Sequence, residues 1–179
     1  MLTTATTVLV VVDVQGKLAQ LMHGREALFA ALSKIIRGAR ALALPILWIE
    51  QNPERMGPTI PEVRDLLPDL TPIPKMSFSC AAEPRFMEAL RKTGCRQALL
   101  AGIEAHVCIA QTAVHLAETG WQVEVASDAV SSRTAENKAL GLEKIRVAGG
   151  RMTSVEAALF EMLGTATHPA FKEVLKIVK

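Results

Sequence analysis

Residues 98–120, Ala98-Leu-Leu-Ala-Gly102-Ile-Glu-Ala-His-Val-Cys108-Ile-Ala-Gln-Thr-Ala-Val-His-Leu-Ala-Glu-Thr-Gly120, decide the fold. A short apolar run ends at Gly102, a compact link follows, and a helical pattern then closes at Gly120. That order reads as strand, turn and helix. Cys108 falls in the first turn or so of the helix, where free backbone N–H groups and the helix dipole favour a thiolate.

The same order recurs on both sides. Residues 7–12 are a continuous β-branched and Leu run, suited to a strand buried on both faces, and Asp13 stands at its end. Residues 25–43 carry Leu28, Leu32, Ile35, Ile36, Ala39 and Leu42 at helical spacing, and a second run occupies 46–50. Prolines at 53, 58, 61, 68, 72 and 74 make 51–74 an excursion with one helical turn near 60–67. Residues 75–82 are compact, with no obvious element. Glu83-Pro84 opens a helix whose inner face holds Phe86, Leu90 and Met87, and 98–101 forms the next strand. Beyond the Cys108 helix come a strand at 121–126 ending in Ser127-Asp128-Ala129, a helix near 135–147 and a short strand or its approach at 148–152. The capping-box match Thr153-Ser-Val-Glu156 then opens a helix, and the last helix covers 169–178. Repeated β-then-α order predicts an α/β fold with a mainly parallel sheet covered by helices on both faces. With no linker or internal repeat, residues 1–179 read as a single domain.

Half of the 179 residues are hydrophobic, which excludes wholesale disorder. Five Phe, two Trp and no Tyr make a stacking platform for single-stranded nucleic acid hard to assemble, and a net charge of +2 gives bulk charge little say in choosing partners. The expected partner is a small molecule, with neither nucleic acid nor membrane. Three cysteines, Cys80, Cys95 and Cys108, without a close pairing pattern argue for a reducing compartment. The first residues have no basic segment or small-residue cleavage site, and no uncharged apolar stretch reaches membrane-spanning length, so the expectation is cytoplasmic.

In parallel sheets, sites gather outside the C-terminal ends of strands. Asp13, Cys108 and Asp128 belong to three such ends, and the proline-rich excursion supplies Lys75. Cys108 is the candidate nucleophile, with burial as an apolar cysteine the competing reading. Asp13 must reach a cleft, a cap or a partner, because burying a carboxylate alone is costly. Lys75 can lower a neighbouring thiol's pKa and hold the Asp13 charge, provided that the three meet. His106 is two residues from Cys108, a spacing that does not put both side chains on one helical face, so substrate contact or capping suits it better than general-base work. Cys95 belongs to a helix-to-strand turn; Cys80 borders the cleft or packs. Glu50 and Gln51 are oxygen donors at a strand end, but no H-E-x-x-H, C-x-x-C, G-x-G-x-x-G or Walker pattern accompanies them, so neither metal nor cofactor is expected.

Val10-Val-Val-Asp13-Val-Gln15, Lys75 and Gly102-Ile-Glu-Ala-His-Val-Cys108 resemble the isochorismatase-like cysteine hydrolases. Gln111-Thr-Ala and Val125-Ala-Ser-Asp-Ala129 continue the match, as do Glu50-Gln-Asn-Pro, Phe78-Ser-Cys, Ser131-Ser-Arg and Ala158-Leu-Phe-Glu161 of the small isochorismatase-domain proteins. The resemblance spans residues 7–178. It implies a three-layer α/β/α fold with a six-stranded mainly parallel sheet, assembly into homo-oligomers, and an Asp13–Lys75–Cys108 site. Cys108 would attack a carbonyl or amide carbon, Asp13 would be the general acid/base, and Lys75 would stabilise the thiolate and orient Asp13. The loop Glu104, Ala105, His106, Val107, Cys108 would supply the oxyanion hole, with Gln15, Gln51, Phe78 and His106 as pocket candidates. A cis peptide at Ile103–Glu104 is also implied. Metal-dependent nicotinamidases of the superfamily carry an Asp/His cluster after the second strand, whereas this chain has Glu50-Gln-Asn-Pro-Glu-Arg-Met, without histidine. The expectation is therefore a metal-independent hydrolase of a small amide, imide or related acyl compound, working through a thioester-type intermediate. The competing readings are a catalytically silent oligomeric interaction protein on the same scaffold and a thiol-redox protein.

Overall fold

The structure, a computed structural model, describes residues 1–179. Six strands, β1 Thr7–Val12, β2 Ile46–Gln51, β3 Ile73–Lys75, β4 Gln97–Ile103, β5 Gln122–Ser131 and β6 Arg151–Thr153, form one sheet in the order β3-β2-β1-β4-β5-β6. Every neighbouring pair is parallel. The chain moves outward from β1 to β3, then returns to β4 on the other side of β1. The switch point is therefore between β1 and β4, the place at the strand C-termini where sheets of this kind hold their sites.

The helices are α1 Gly16–Gln20, α2 Arg25–Ala41, α3 Pro53–Met56, α4 Pro61–Arg64, α5 Pro84–Lys92, α6 Ala110–Glu118, α7 Ala135–Val147, α8 Val155–Leu163 and α9 Phe171–Val178. They complete a three-layer α/β/α fold. All six β1 residues are buried, and their period of two divides them between the layers. Leu9 and Val11 pack in the cluster containing Leu32, Ile35 and Ile36 of α2 with Leu159 of α8. Val8, Val10 and Val12 pack with Phe86 and Leu90 of α5, Leu116 of α6 and Ile145 of α7. Burial on both faces explains why this strand reads as a continuous apolar run rather than an alternating one.

Three local readings need correction. The stretch predicted to lack an element around Lys75 contains β3. It is an edge strand, where Pro74 sits without breaking the sheet, because an edge has one free side for a missing N–H. Strand β5 runs past Ser127 to Ser131, through a register irregularity opposite Leu100 and Gly102. Ser154, rather than Thr153, caps α8 by accepting from the Ala157 N–H at 3.2 Å.

Candidate active site

The site forms where β1, β3 and β4 end together. Asp13 follows β1 in the left-handed region, at φ 54°. Its N–H donates to the Ile49 carbonyl at 3.1 Å and its carbonyl accepts from the Gln15 N–H at 2.8 Å, so a tight turn fixes the carboxylate. Asp tolerates this backbone better than most residues. Lys75 ends β3, directly opposite Gln51 of β2. Its side chain is fully out of water. Nζ donates to Asp13 Oδ2 at 2.7 Å and Gln51 Oε1 at 2.6 Å, and lies 3.7 Å from Cys108 Sγ. Three ammonium protons thus meet three acceptors.

Cys108 is not in the first turn of a regular α-helix. It occupies a wide turn, Ala105–Ile109, that precedes α6, in which the Ile109 N–H reaches back five residues to the Glu104 carbonyl at 3.2 Å. Burial pushes its thiol well above the usual cysteine range; the Asp13 carboxylate adds to the rise and the Lys75 ammonium offsets only part of it. Burial and the Asp13 carboxylate thus oppose the thiolate that helix position favours. Burial also raises the Asp13 carboxyl, against the pull of Lys75. Burial works against the Lys75 ammonium, but the charge and hydrogen bond of Asp13, with the charge that Cys80 and Cys108 carry when ionised, outweigh it and raise the amine above its ordinary range. Asp13 Oδ1 is buried without a hydrogen-bond partner, and the same carboxyl adjoins the thiol. The carboxyl and the thiol thus stand side by side.

Gly102 admits no side chain, since with φ +120° a Cβ would lie 2.1 Å from the Val12 carbonyl oxygen. The Ile103–Glu104 peptide is cis. Glu104 is buried, and its Oε1 accepts from the N–H of Arg133 at 3.2 Å and from its Nε at 3.1 Å. His106 Nδ1 pairs with Ser132 Oγ at 2.9 Å. Both partners belong to the β5–α7 connection, so this connection braces the loop bearing Cys108. Helix α7 braces it from another side through Gly141, where a Cβ would stand 2.5 Å from the Ala105 carbonyl group. Sequence reasoning missed these braces; the only available signal was a glycine in mid-helix, which usually has a packing reason.

The remaining candidates have distinct places. Gln15 is fully buried: its Nε2 donates to the carbonyls of Gln51 and Gly57 at 3.0 and 2.7 Å, and its Oε1 accepts from the Gln51 N–H at 2.7 Å. Its carboxamide is thus committed to backbone on both sides. Glu50 Oε1 accepts from the N–H and hydroxyl of Thr59, each at 2.7 Å, which ties the proline-rich excursion to β2. Asp128 does not join the site: its carboxylate accepts from the Val155 N–H at 2.9 Å at the start of α8. Phe78 is exposed on the segment after Lys75. Cys80 is buried, and its N–H donates to the Thr112 hydroxyl at 2.9 Å. Cys95 lies in the α5–β4 turn. No group of three or more His, Cys, Asp or Glu side chains is arranged to hold a metal, and no helix is long and apolar enough to cross a membrane.

Comparison with known proteins agrees with this architecture. An isochorismatase domain model matches residues 7–157. Isochorismatase domain-containing protein 2 of Bos taurus is 34% identical over 175 residues, covering 97% of this chain and 83% of the relative. The secreted isochorismatase effector Isc1 of Phytophthora sojae is 35% identical over 178 residues, covering 97% and 85%. A solved structure described as the MAR1 ribonuclease of Caenorhabditis elegans superposes with a TM-score of 0.92 at 34% identity, covering 99% of this chain and 91% of that one. By sequence along almost its whole length and by fold, the chain belongs to the isochorismatase family, a hydrolase-associated family.

Proposed function

We propose that this protein hydrolyses a C–N or related acyl bond of a small amide, imide or similar compound, with Cys108 as nucleophile. The observation that carries this reading is one ammonium, Lys75 Nζ, placed 2.7 Å from Asp13 Oδ2 and 3.7 Å from Cys108 Sγ. Asp13 takes the thiol proton as Sγ attacks the acyl carbon; the S–C bond forms and the carbonyl electron pair moves onto oxygen. Backbone N–H groups of the 104–108 loop receive that oxyanion. Asp13 returns the proton to the leaving nitrogen as the C–N bond breaks, leaving a thioester and a free amine. Water then attacks the thioester with Asp13 again as base, releasing the acid and restoring the thiol. Lys75 stays protonated throughout and offsets the charge that moves between Sγ and Asp13.

The near-complete burial of the three groups favours a compact substrate. Asp13, Lys75 and Cys108 are 3%, 2% and 7% exposed, so the scissile bond must enter a narrow crevice. A phosphodiester within a polynucleotide suits such a crevice less well, which sets this reading apart from the ribonuclease description of the Caenorhabditis elegans structure. The reading keeps the cytoplasm as the place of action. It also keeps a homo-oligomer, because Met76 and Phe78 stand exposed just beyond Lys75, where a second copy would cover them. Sedimentation equilibrium at micromolar concentration should give a multiple of the chain mass; a monomer would remove that part.

A panel of small amides, imides and esters, incubated with the protein while intact mass is followed, tests the chemistry. Turnover with a substrate-derived adduct on Cys108, both lost in Cys108→Ala, is the expected result. Turnover that survives in Cys108→Ala would overturn the mechanism, and a panel that gives neither turnover nor adduct would revive the nonenzymatic and redox alternatives.

A further inference from the structure

We propose that Gln51 is a positioning residue for Lys75, and that its neutrality sets the charge balance of the site. Gln51 lies directly across from Lys75 in the β2–β3 ladder, so both side chains leave the same face of the sheet. Its Oε1 accepts from Lys75 Nζ at 2.6 Å, while its Nε2 donates to the Met76 carbonyl at 2.9 Å. That second bond fixes which end of the carboxamide faces the ammonium. The Gln51 backbone is in turn held at both its N–H and its carbonyl by the buried Gln15 carboxamide. The result is a chain of fixed contacts, Gln15 to Gln51 to Lys75, that takes up one ammonium proton and leaves the other two for Asp13 and Cys108.

The charge of residue 51 matters because of what else faces the ammonium. Asp13 comes from the end of β1, Cys108 from the turn before α6 and Cys80 from the turn before α5; Glu50 of β2 is the next carboxylate, beside Asp13. With a carboxamide at 51, one ammonium meets one adjacent carboxylate and the site is neutral while Cys108 is a thiol. A carboxylate at 51 would accept the same hydrogen bond but divide the ammonium's charge between two anions. It would thereby disfavour ionisation of both Asp13 and Cys108.

This inference deepens the proposed hydrolase reading, and its test needs no substrate. Two quantities are measured in wild type, Gln51→Glu and Gln51→Leu: the titration midpoint of the Asp13 carboxyl carbon by NMR, and the rate of Cys108 alkylation by iodoacetamide, read peptide by peptide. In Gln51→Glu the Asp13 midpoint should rise by about one pH unit, and alkylation at pH 7.5 should slow roughly tenfold, the equivalent of one unit in thiol ionisation. In Gln51→Leu the midpoint should move by less than half as much, while alkylation slows because the ammonium is no longer aimed. A purely structural Gln51 would lower the melting temperature in both variants without the Glu-specific midpoint shift. An Asp13 midpoint unchanged in Gln51→Glu overturns the proposal. Should Gln51→Glu fail to fold, unchanged alkylation in Gln51→Leu overturns it equally. Turnover surviving in Cys108→Ala would defeat the hydrolase mechanism and leave the Asp13 shift standing, so the two failures are distinguishable.

Discussion

Lys75 carries its charge with a side chain removed from water, and only Asp13 offsets that charge at hydrogen-bond distance. Removing one member of a buried pair costs more than the pair is worth, because the other charge stays behind. Lys75→Met should therefore lose about 3–5 kcal/mol in urea denaturation. Adding Asp13→Asn should cost less than the sum of the single changes; strict additivity would mean that the two charges do not depend on each other. The acidic side of activity follows from Asp13. Its carboxyl is raised above the ordinary 3.8, and in the proposed mechanism it must be ionised to take the Cys108 proton. Activity, or Cys108 alkylation in its place, should thus rise with pH through a midpoint above 3.8, and a midpoint at or below it would contradict the burial argument. The stability sign is opposite. A carboxyl that holds its proton more tightly when folded favours the fold below its unfolded pKa, and that contribution is lost as pH rises through the folded value. Asp13 was legible as a carboxylate at a strand end, and Cys108 as a cysteine at a turn into a helix. The upward push on the thiol's pKa was not, since it depends on burial and on a neighbour distant in sequence.

Among the elements, β3 and α7 show what sequence pattern misses. Strand β3 is three residues long with Pro74 in its middle, so neither alternation nor β-propensity marks it. It is a strand because β2 offers it a ladder, and its reward is Lys75 delivered opposite Gln51. Helix α7 was legible as a helix, but the role of Gly141 depends on which loop the helix meets. Gly141→Ala would drive a methyl group into the Ala105–His106 peptide and must push α7 or the loop bearing Cys108 aside. The expected cost is about 1–3 kcal/mol, the range for overpacking. Since helix propensity alone favours Ala over Gly, a more stable variant would refute the close-approach argument. Cys108 alkylation should change alongside stability, because the displaced segment holds the thiol. The β5–α7 connection acts from the other side through Arg133 on Glu104 and Ser132 on His106. Those contacts join residues about 26–29 apart in sequence, beyond the reach of local pattern.

At the scale of the whole molecule, the β-then-α order was enough to give the parallel sheet, while the six-strand count came from family resemblance. The expectation of one domain leads to the final prediction. The two apolar layers contact opposite faces of the same strands, and β1 contributes to both through alternate residues. Neither layer can lose its packing while the sheet stays intact for the other, so the chain should unfold in one transition. Two tryptophans report on the layers separately: Trp48 is buried in the layer of α2 and α8, and Trp121 packs against that of α5 and α6. Leu32 and Leu90 are fully buried on opposite sides of the sheet. Leu32→Ala and Leu90→Ala should each cost about 2–5 kcal/mol by opening a cavity. Each change should lower the denaturation midpoint equally, whether followed through Trp121 in a Trp48→Phe background or through Trp48 in a Trp121→Phe background, once each background's own midpoint is subtracted. If Leu32→Ala moved only the Trp48 signal, and Leu90→Ala only that of Trp121, the layers would be separate cooperative units and the single-domain reading would fail.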